Sequence, residues 1–192
     1  MKAFIEPLQE LSGYEDMTKA AMQPGLVTIS GCIDAQKPHM IYTLGRTRSR
    51  RLIVTFHEQK AKELYDDYRF FDPSVVYYPA KDVLFYQSDL RGNMLTRERL
   101  TVLQALLEQA EDNSPQSGVT VITTFDALMN HMSAPEQFRA AIRRFEVGES
   151  ADLDELCKEL VAMGYEREYQ VSTPGQFAVR GGILDIYPMR GE

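Results

Sequence analysis

Apolar runs and amphipathic stretches alternate along the first two thirds of the chain. The apolar runs are short and rich in β-branched residues, and they predict strands at residues 26–30, 52–56, 75–78 and 119–124. The helix predicted most strongly covers residues 58–71, where one stripe carries Ala61, Leu64, Tyr68 and Phe71. Other helices are predicted within residues 1–24, 40–44, 96–110 and 126–131. Such alternation predicts an α/β fold with a parallel, doubly wound sheet and right-handed crossovers.

The pattern changes near residue 132. A helix predicted over residues 153–163 begins at a capping box, Asp152 with Glu155, and ends at Gly164. Two strands of period two follow, joined by a turn at Pro174-Gly175, and a third strand is predicted at residues 183–187. Between the last two strands, Gly181-Gly182 is expected to interrupt the ladder as a bulge or a close backbone approach. We therefore predict one domain at residues 1–132 and a small α+β domain at residues 133–192.

The register of these strands decides the direction of Arg180. If the loop between the first two of these strands holds an odd number of residues, the apolar residues of both strands share one face of the sheet. Arg180 then lies on the polar face with Gln170 and Ser172. An arginine fixed on a rigid sheet among polar groups is a candidate for binding a partner's carboxylate, and the alternative is a solvated surface arginine. Alternation does not place Arg167.

Composition and charge narrow the class of protein. Hydrophobic residues make up 44% of the 192 and charged residues 26%, as in ordinary globular proteins. The net charge of −7 argues against a general nucleic-acid binder. Two distant cysteines suit a reducing compartment, and there is no signal peptide or apolar run of about 20 residues. We expect a cytoplasmic protein without membrane contact.

The loop after the first predicted strand is a candidate phosphate-binding loop. A working loop has the pattern G-x-x-x-x-G-K-[ST], and Gly31 and Lys37 match it. Gln36 stands at the second glycine, and Pro38 replaces the hydroxyl residue that would ligate Mg²⁺. The position that shapes the loop and the position that holds the metal both lack the residue that the pattern requires. An ordinary strand-to-helix turn is therefore favoured. We predict no nucleotide cofactor and no catalysis by this segment.

Other polar patterns give weaker signals. Four arginines lie within six positions: Arg46, Arg48, Arg50 and Arg51. They could contact DNA phosphates, although a solvated loop is favoured. The aromatic run at residues 77–90 is interpreted as structural, with residues 83–85 facing the core. Arg97 and Arg99 are expected to extend to solvent or to an acid, and Asp185 to serve as an ion-pair partner or cap. No histidine spacing suggests a metal site.

The run from residue 135 to residue 188 carries a specific resemblance. Its pieces occur in one order over about fifty residues, which is far more specific than one short motif. They are the sequence PEQF, the VG pair that ends Phe145–Gly148, the helix ending in Gly164-Tyr165, Arg167, and Phe177-x-Val179-Arg180-Gly181 followed by Asp185-Ile186-Tyr187-Pro188. This run resembles the UvrA-binding domain of UvrB. It is more similar still to the UvrB-homology module at the N-terminus of bacterial transcription-repair coupling factors (Mfd).

The resemblance implies a fold and a function. The first domain would be a degenerate RecA-like, P-loop NTPase-like domain, and the second an incomplete UvrA-binding domain. The segment would be a non-catalytic adaptor in transcription-coupled excision repair that mimics UvrB and recruits UvrA. Arg167 and Arg180 would bind UvrA with Tyr187 as an aromatic neighbour, and Ala178, which replaces a further arginine of UvrB, leaves the affinity open.

The same family resemblance assigns other partners to other parts of the protein. RNA polymerase and DNA would be engaged by downstream parts of the full-length protein, an ATP-dependent DNA translocase. Two alternatives stay open, a nucleotide-dependent helicase half and a UvrB-like protein that binds damaged DNA.

Overall fold

A computed structural model describes residues 2–81, 89–111, 118–130, 132 and 134–189 of the chain. Helix α1 at Lys2–Gln9 and helix α2 at Tyr14–Met22 open it. A 3-10 turn at Asp34–Gln36 leads directly into helix α3 at Lys37–Gly45. The helical segment predicted at the N-terminus is confirmed as two short helices.

Three parallel strands form the first sheet. They are β1 at Arg50–Thr55, β2 at Val75–Tyr78 and β3 at Val119–Thr124, in the spatial order β1-β3-β2. All residues of β3 are buried, as expected of a central strand in a sheet covered on both faces. The strands predicted in these three places are therefore confirmed, with β1 beginning two residues early.

Helices cover both faces of this sheet. Helix α4 spans Glu58–Tyr68, α5 spans Asp89–Glu111 and α6 spans Phe125–Leu128. One core cluster joins α3, α4 and the sheet through Tyr42, Ala61, Tyr68, Val75 and Ile122. The other joins α5, α6 and the sheet through Tyr78, Val102, Val119, Val121 and Ala127. Val121 and Ile122 are neighbours that pack on opposite faces, as the two-residue period of a strand requires.

The strand predicted at residues 26–30 is wrong. The segment has no strand pairing, and Leu26 is 95% exposed. A strand is stabilised by hydrogen bonds to a neighbouring strand, and nothing in the described part of the chain pairs with this segment. Its β-branched composition is thus not sufficient to make it a strand.

The second sheet follows two further helices, α7 at Pro135–Ala140 and α8 at Leu153–Ala162. The predicted N-cap at Asp152 is confirmed, because its side chain accepts hydrogen bonds from the backbone N–H groups of Asp154 and Glu155 at 2.9 and 3.1 Å; the return bond from the Glu155 side chain, which would complete the box, stays a prediction. Gly164 ends the helix with φ = 89°. The strands are β4 at Glu166–Arg167, β5 at Gln176–Arg180 and β6 at Ile183–Tyr187, in the order β4-β5-β6.

The first hairpin of this sheet was predicted incorrectly. Residues 169–172 are not a strand; β4 precedes them and pairs with β5 in parallel. The reason is that the Gln176 side chain accepts hydrogen bonds from the backbone N–H groups of Ser172 and Thr173 at 3.0 and 3.1 Å. Such local bonds compete with a strand ladder. The predicted turn at Gly175 is present, with φ = 86°.

The double glycine forms a tight hairpin instead of a bulge. Gly181 and Gly182 have φ angles of 56° and 90°, as in a two-residue type I′ turn. The antiparallel pairing continues to the last residues on either side, where Arg180 is opposite Ile183. The prediction that the ladder is interrupted here is therefore wrong, and the glycines instead fix the register of β5 and β6.

Some predictions lie outside the described residues or are not tested by them. Residues 83–85, which were predicted to face the core, are outside the described ranges, and so is His131. The division of the chain at residue 132 and the RecA-like character of the first sheet stay predictions. Within the described ranges, no helix is both long and apolar enough to cross a bilayer.

Candidate functional site

Arg180 ends strand β5 and presents its side chain to solvent. The side chain is 59% exposed, and its Nη2 donates a hydrogen bond to Oδ2 of Asp185 on the neighbouring strand. Asp185 thus forms the ion pair that its place in the sequence predicted. Because a tight turn links the two strands, this arginine is held on a short and well-defined hairpin.

Register places the candidate binding residues on two faces of the small sheet. Arg180, Asp185 and Tyr187 lie on one face, because Asp185 is opposite Ala178 and Tyr187 is opposite Gln176. Arg180 and Tyr187 are separated by about 13 Å along the sheet, at roughly 3.3 Å per residue.

Arg167 belongs to the opposite face of that sheet. Arg167 pairs in register with Phe177 and therefore shares its face of the sheet. Phe177 and Arg180 are an odd number of residues apart on β5, so their side chains point to opposite faces. Its side chain is exposed at the β4 edge, whereas Phe177 is completely buried. The structure therefore brings Arg180 and Tyr187 onto one surface and does not bring Arg167 onto the same face.

Ala178 occupies the position where the family resemblance would place a further arginine. It is 1% exposed, and it faces Asp185 across the β5–β6 pairing. A small buried residue leaves the Asp185 carboxylate without a long side chain directly opposite it. The acid can therefore reach diagonally to Arg180.

The candidate phosphate loop becomes helical at Asp34 and holds its lysine against an internal carboxylate. Gln36 has right-handed helical φ and ψ angles of −89° and −21°, and Pro38 is buried in the first turn of α3, where a missing N–H is tolerated. Lys37 Nζ lies 2.6 Å from the Asp34 carboxylate, and Lys60 Nζ lies 3.1 Å from it. The hydrogen bonds from both lysines lower the pKa of Asp34. The cationic group of the loop is thus already paired with an internal carboxylate.

The four-arginine cluster does not form one surface. Arg48 donates to the Met22 carbonyl at 2.7 Å, at the C-terminal end of α2, and Arg51 pairs with Asp72 at 3.1 Å with only 12% of its side chain exposed. Arg46 and Arg50 are exposed. A contact with DNA phosphates could therefore use only part of the predicted cluster without breaking internal bonds.

A buried polar network around Asp72 was not predicted from the sequence. Its Oδ2 accepts from the Thr120 hydroxyl at 2.8 Å and from Arg51, and its Oδ1 accepts from the Ser74 backbone N–H at 3.1 Å. The Asp-Pro-Ser sequence is a turn signal that could have suggested the last of these bonds. Strand pairing alone brings Thr120 and Arg51 to the same carboxylate, because they are opposite each other in β3 and β1.

Arg99 was expected at the surface and is buried. It is 6% exposed, donates to the Pro79 carbonyl at 2.7 Å and lies 4.1 Å from the centre of the Tyr78 ring. Helix α5 begins at Asp89, so Arg99 occupies its middle and faces the sheet. This contact is a cation–π interaction combined with a charge-assisted hydrogen bond.

The aromatic residues at the start of the 77–90 run have structural contacts. The Tyr77 hydroxyl donates to Glu58 at 3.0 Å, and burial together with that carboxylate raises the pKa of Tyr77.

His39 stacks on Phe71 with ring centres 5.2 Å apart. Among the residues that the structure describes, no group of three or more histidines, cysteines or acids could hold a metal ion.

Comparisons with known proteins agree with the resemblance found in the sequence. Residues 144–192 match the family model described as the UvrB interaction domain. Along almost the whole chain there is similarity to curated proteins named transcription-repair-coupling factor. The relative from Staphylococcus haemolyticus (strain JCSC1435) is 32% identical over 190 residues, which is 98% of this chain. One from Staphylococcus aureus (strain bovine RF122 / ET3-1) is 28% identical over 188 residues, or 96% of the chain. The chain spans 15% of the length of each of these relatives.

Proposed function

We propose that this chain is an N-terminal segment of a transcription-repair coupling factor and that it recruits UvrA in nucleotide excision repair. The observation that carries the proposal is the position of Arg180. It is exposed on a tightly connected hairpin within the residues that match the UvrB interaction domain. An exposed guanidinium on rigid backbone is suited to binding an acidic partner surface.

The role is that of an adaptor that mimics UvrB, with no reaction in this segment. Support comes from the loop at Lys37, whose ammonium group is paired with Asp34 and which lacks the residues that shape a phosphate site. In the cytoplasm, contacts with RNA polymerase and DNA, and any ATP-driven movement on DNA, belong to other parts of the longer protein. The lesion-repair machinery would be reached through UvrA.

The test is a titration of UvrA with the wild-type chain and with Arg180→Ala. A lost charge-assisted contact should cost about 2 kcal/mol, or roughly 30-fold in Kd. Arg46→Ala is the matched control, because it removes the same exposed group outside the matched residues.

Each outcome has a distinct meaning for the proposal. Circular dichroism should show that both variants keep the fold, because both side chains are exposed. No measurable binding by the wild type would refute recruitment of UvrA. Equal binding by wild type and Arg180→Ala would remove Arg180 from the interface.

A further inference from the structure

The Arg180 guanidinium is held by an acid of its own sheet. Asp185 accepts a hydrogen bond from Nη2 of Arg180, although Arg180 is directly opposite Ile183 in the register. The contact is therefore diagonal across the β5–β6 pairing. The buried Ala178 opposite Asp185 makes it possible, because no long side chain stands in front of the carboxylate.

The hairpin fixes which face Asp185 occupies. The Gly181-Gly182 turn has two residues, both with positive φ, and such turns determine the register of their strands. A slip by one residue would move Asp185 to the opposite face from Arg180. The pair is thus built into the backbone geometry of the hairpin.

The geometry of the pair leaves the arginine able to bind a second group. The bond uses Nη2, whereas a guanidinium carries five N–H donors. The Arg180 side chain is 59% exposed and that of Asp185 39%, so the arginine is the more accessible of the two. Donors remain for a carboxylate presented from solvent.

We infer that Asp185 is a positioning residue for UvrA binding, one that orients Arg180 before the partner arrives. The inference rests on the proposed function. A long side chain loses rotamer freedom when a partner captures it, and this loss weakens binding. Because Asp185 restricts Arg180 in the free chain, less freedom remains to be lost.

The test compares Asp185→Ala in two backgrounds by titration with UvrA. In the wild-type background, the Kd should rise about 3- to 10-fold, in line with the ordering of one flexible side chain. In the Arg180→Ala background, the same substitution should leave the Kd unchanged, because there is no guanidinium to orient. Asp185→Asn, which keeps the shape and one acceptor oxygen, should fall between wild type and Asp185→Ala.

The double-mutant comparison separates positioning from a purely structural role. If Asp185 only stabilised the hairpin, its removal would weaken binding equally in both backgrounds. Equal losses, unchanged binding or tighter binding of Asp185→Ala would each overturn the inference while leaving UvrA recruitment intact. A wild-type chain that fails to bind UvrA would instead overturn the proposed function, and the inference with it.

Discussion

Replacing Asp72 tests how far the first sheet depends on one buried carboxylate. Asp72 is 8% exposed and lies between helix α4 and strand β2. Its oxygens are within 3.1 Å of donors on Arg51, Ser74 and Thr120. The acid therefore connects all three strands of the sheet or the loops next to them.

The expected magnitude follows from what Asp72→Ala leaves behind. Arg51, whose side chain is 12% exposed, would lose its counter-charge, and breaking a buried ion pair from one side costs about 3–5 kcal/mol. The completely buried Thr120 hydroxyl would lose its acceptor, at about 1–3 kcal/mol. The two effects share one carboxylate and do not simply add, so we expect about 4 kcal/mol. This is a large part of the 5–15 kcal/mol that typically stabilises a domain.

Urea denaturation followed by far-UV circular dichroism measures this loss. Asp72→Asn should cost about 3 kcal/mol, less than Asp72→Ala, because it keeps the shape and an acceptor oxygen but removes the charge that Arg51 needs. Asp66→Ala, an exposed acid within α4, is the control and should change stability by less than about 0.5 kcal/mol. A loss below about 1 kcal/mol for Asp72→Ala would refute the reasoning, because a buried charge cannot be left unpaired so cheaply.

Three further predictions follow from the backbone, the tyrosines and the loop at Lys37. In thermal unfolding, Gly182→Ala should lower the free energy of unfolding by roughly 1–2 kcal/mol, and Gly181→Ala should lower it by less. The reason is that φ = 90° at Gly182 is further from the left-handed minimum than φ = 56° at Gly181, whereas neither new Cβ meets an atom within 4 Å. Equal losses would contradict this. Burial raises the pKa of three tyrosines above the unfolded value of about 10, so their contribution to stability is complete below that pH and is lost as the pH rises. Tyrosinate absorbance should show that these three, Tyr68, Tyr77 and Tyr78, ionise late, together with unfolding. Simultaneous titration of all ten tyrosines near pH 10 would be inconsistent with the burial of these three. Calorimetry with Mg²⁺-ATP should give no saturable heat, since the Lys37 ammonium is paired with a carboxylate; a saturable signal that Lys37→Ala abolishes would contradict the prediction.

The spacing of apolar residues along each segment predicted most of the helices and strands, because that spacing depends on which face of the segment is buried. The stripe through Ala61 and Tyr68 faces the core as expected, and the cap at Asp152 forms where the sequence placed it. Residues 75–78 and 119–124 are strands with the predicted bounds. In each case the deciding interactions lie within the segment or depend on its burial alone.

Features that depend on a distant partner were not predicted. Residues 26–30 have the composition of a strand but no neighbouring strand, and Arg99 is buried because α5 places it against Pro79 and Tyr78. The parallel pairing of β4 depends on a loop held by the Gln176 side chain. A single sequence without these contacts in view cannot distinguish such outcomes, because propensity is a weak guide where tertiary contacts decide.

The opposite placement of the two candidate arginines constrains how a partner could bind both. A flat surface that covers Arg180 and Tyr187 would meet the face of the sheet that carries Asp185, whereas Arg167 projects from the edge strand β4 toward the other face. Strand β4 has only two residues, so a partner that extends past this edge could contact Arg167 without crossing the sheet. If UvrA binds all three residues, its surface must therefore be concave around β4. If its surface is flat, the affinity should depend on Arg180 and Tyr187 and be nearly independent of Arg167.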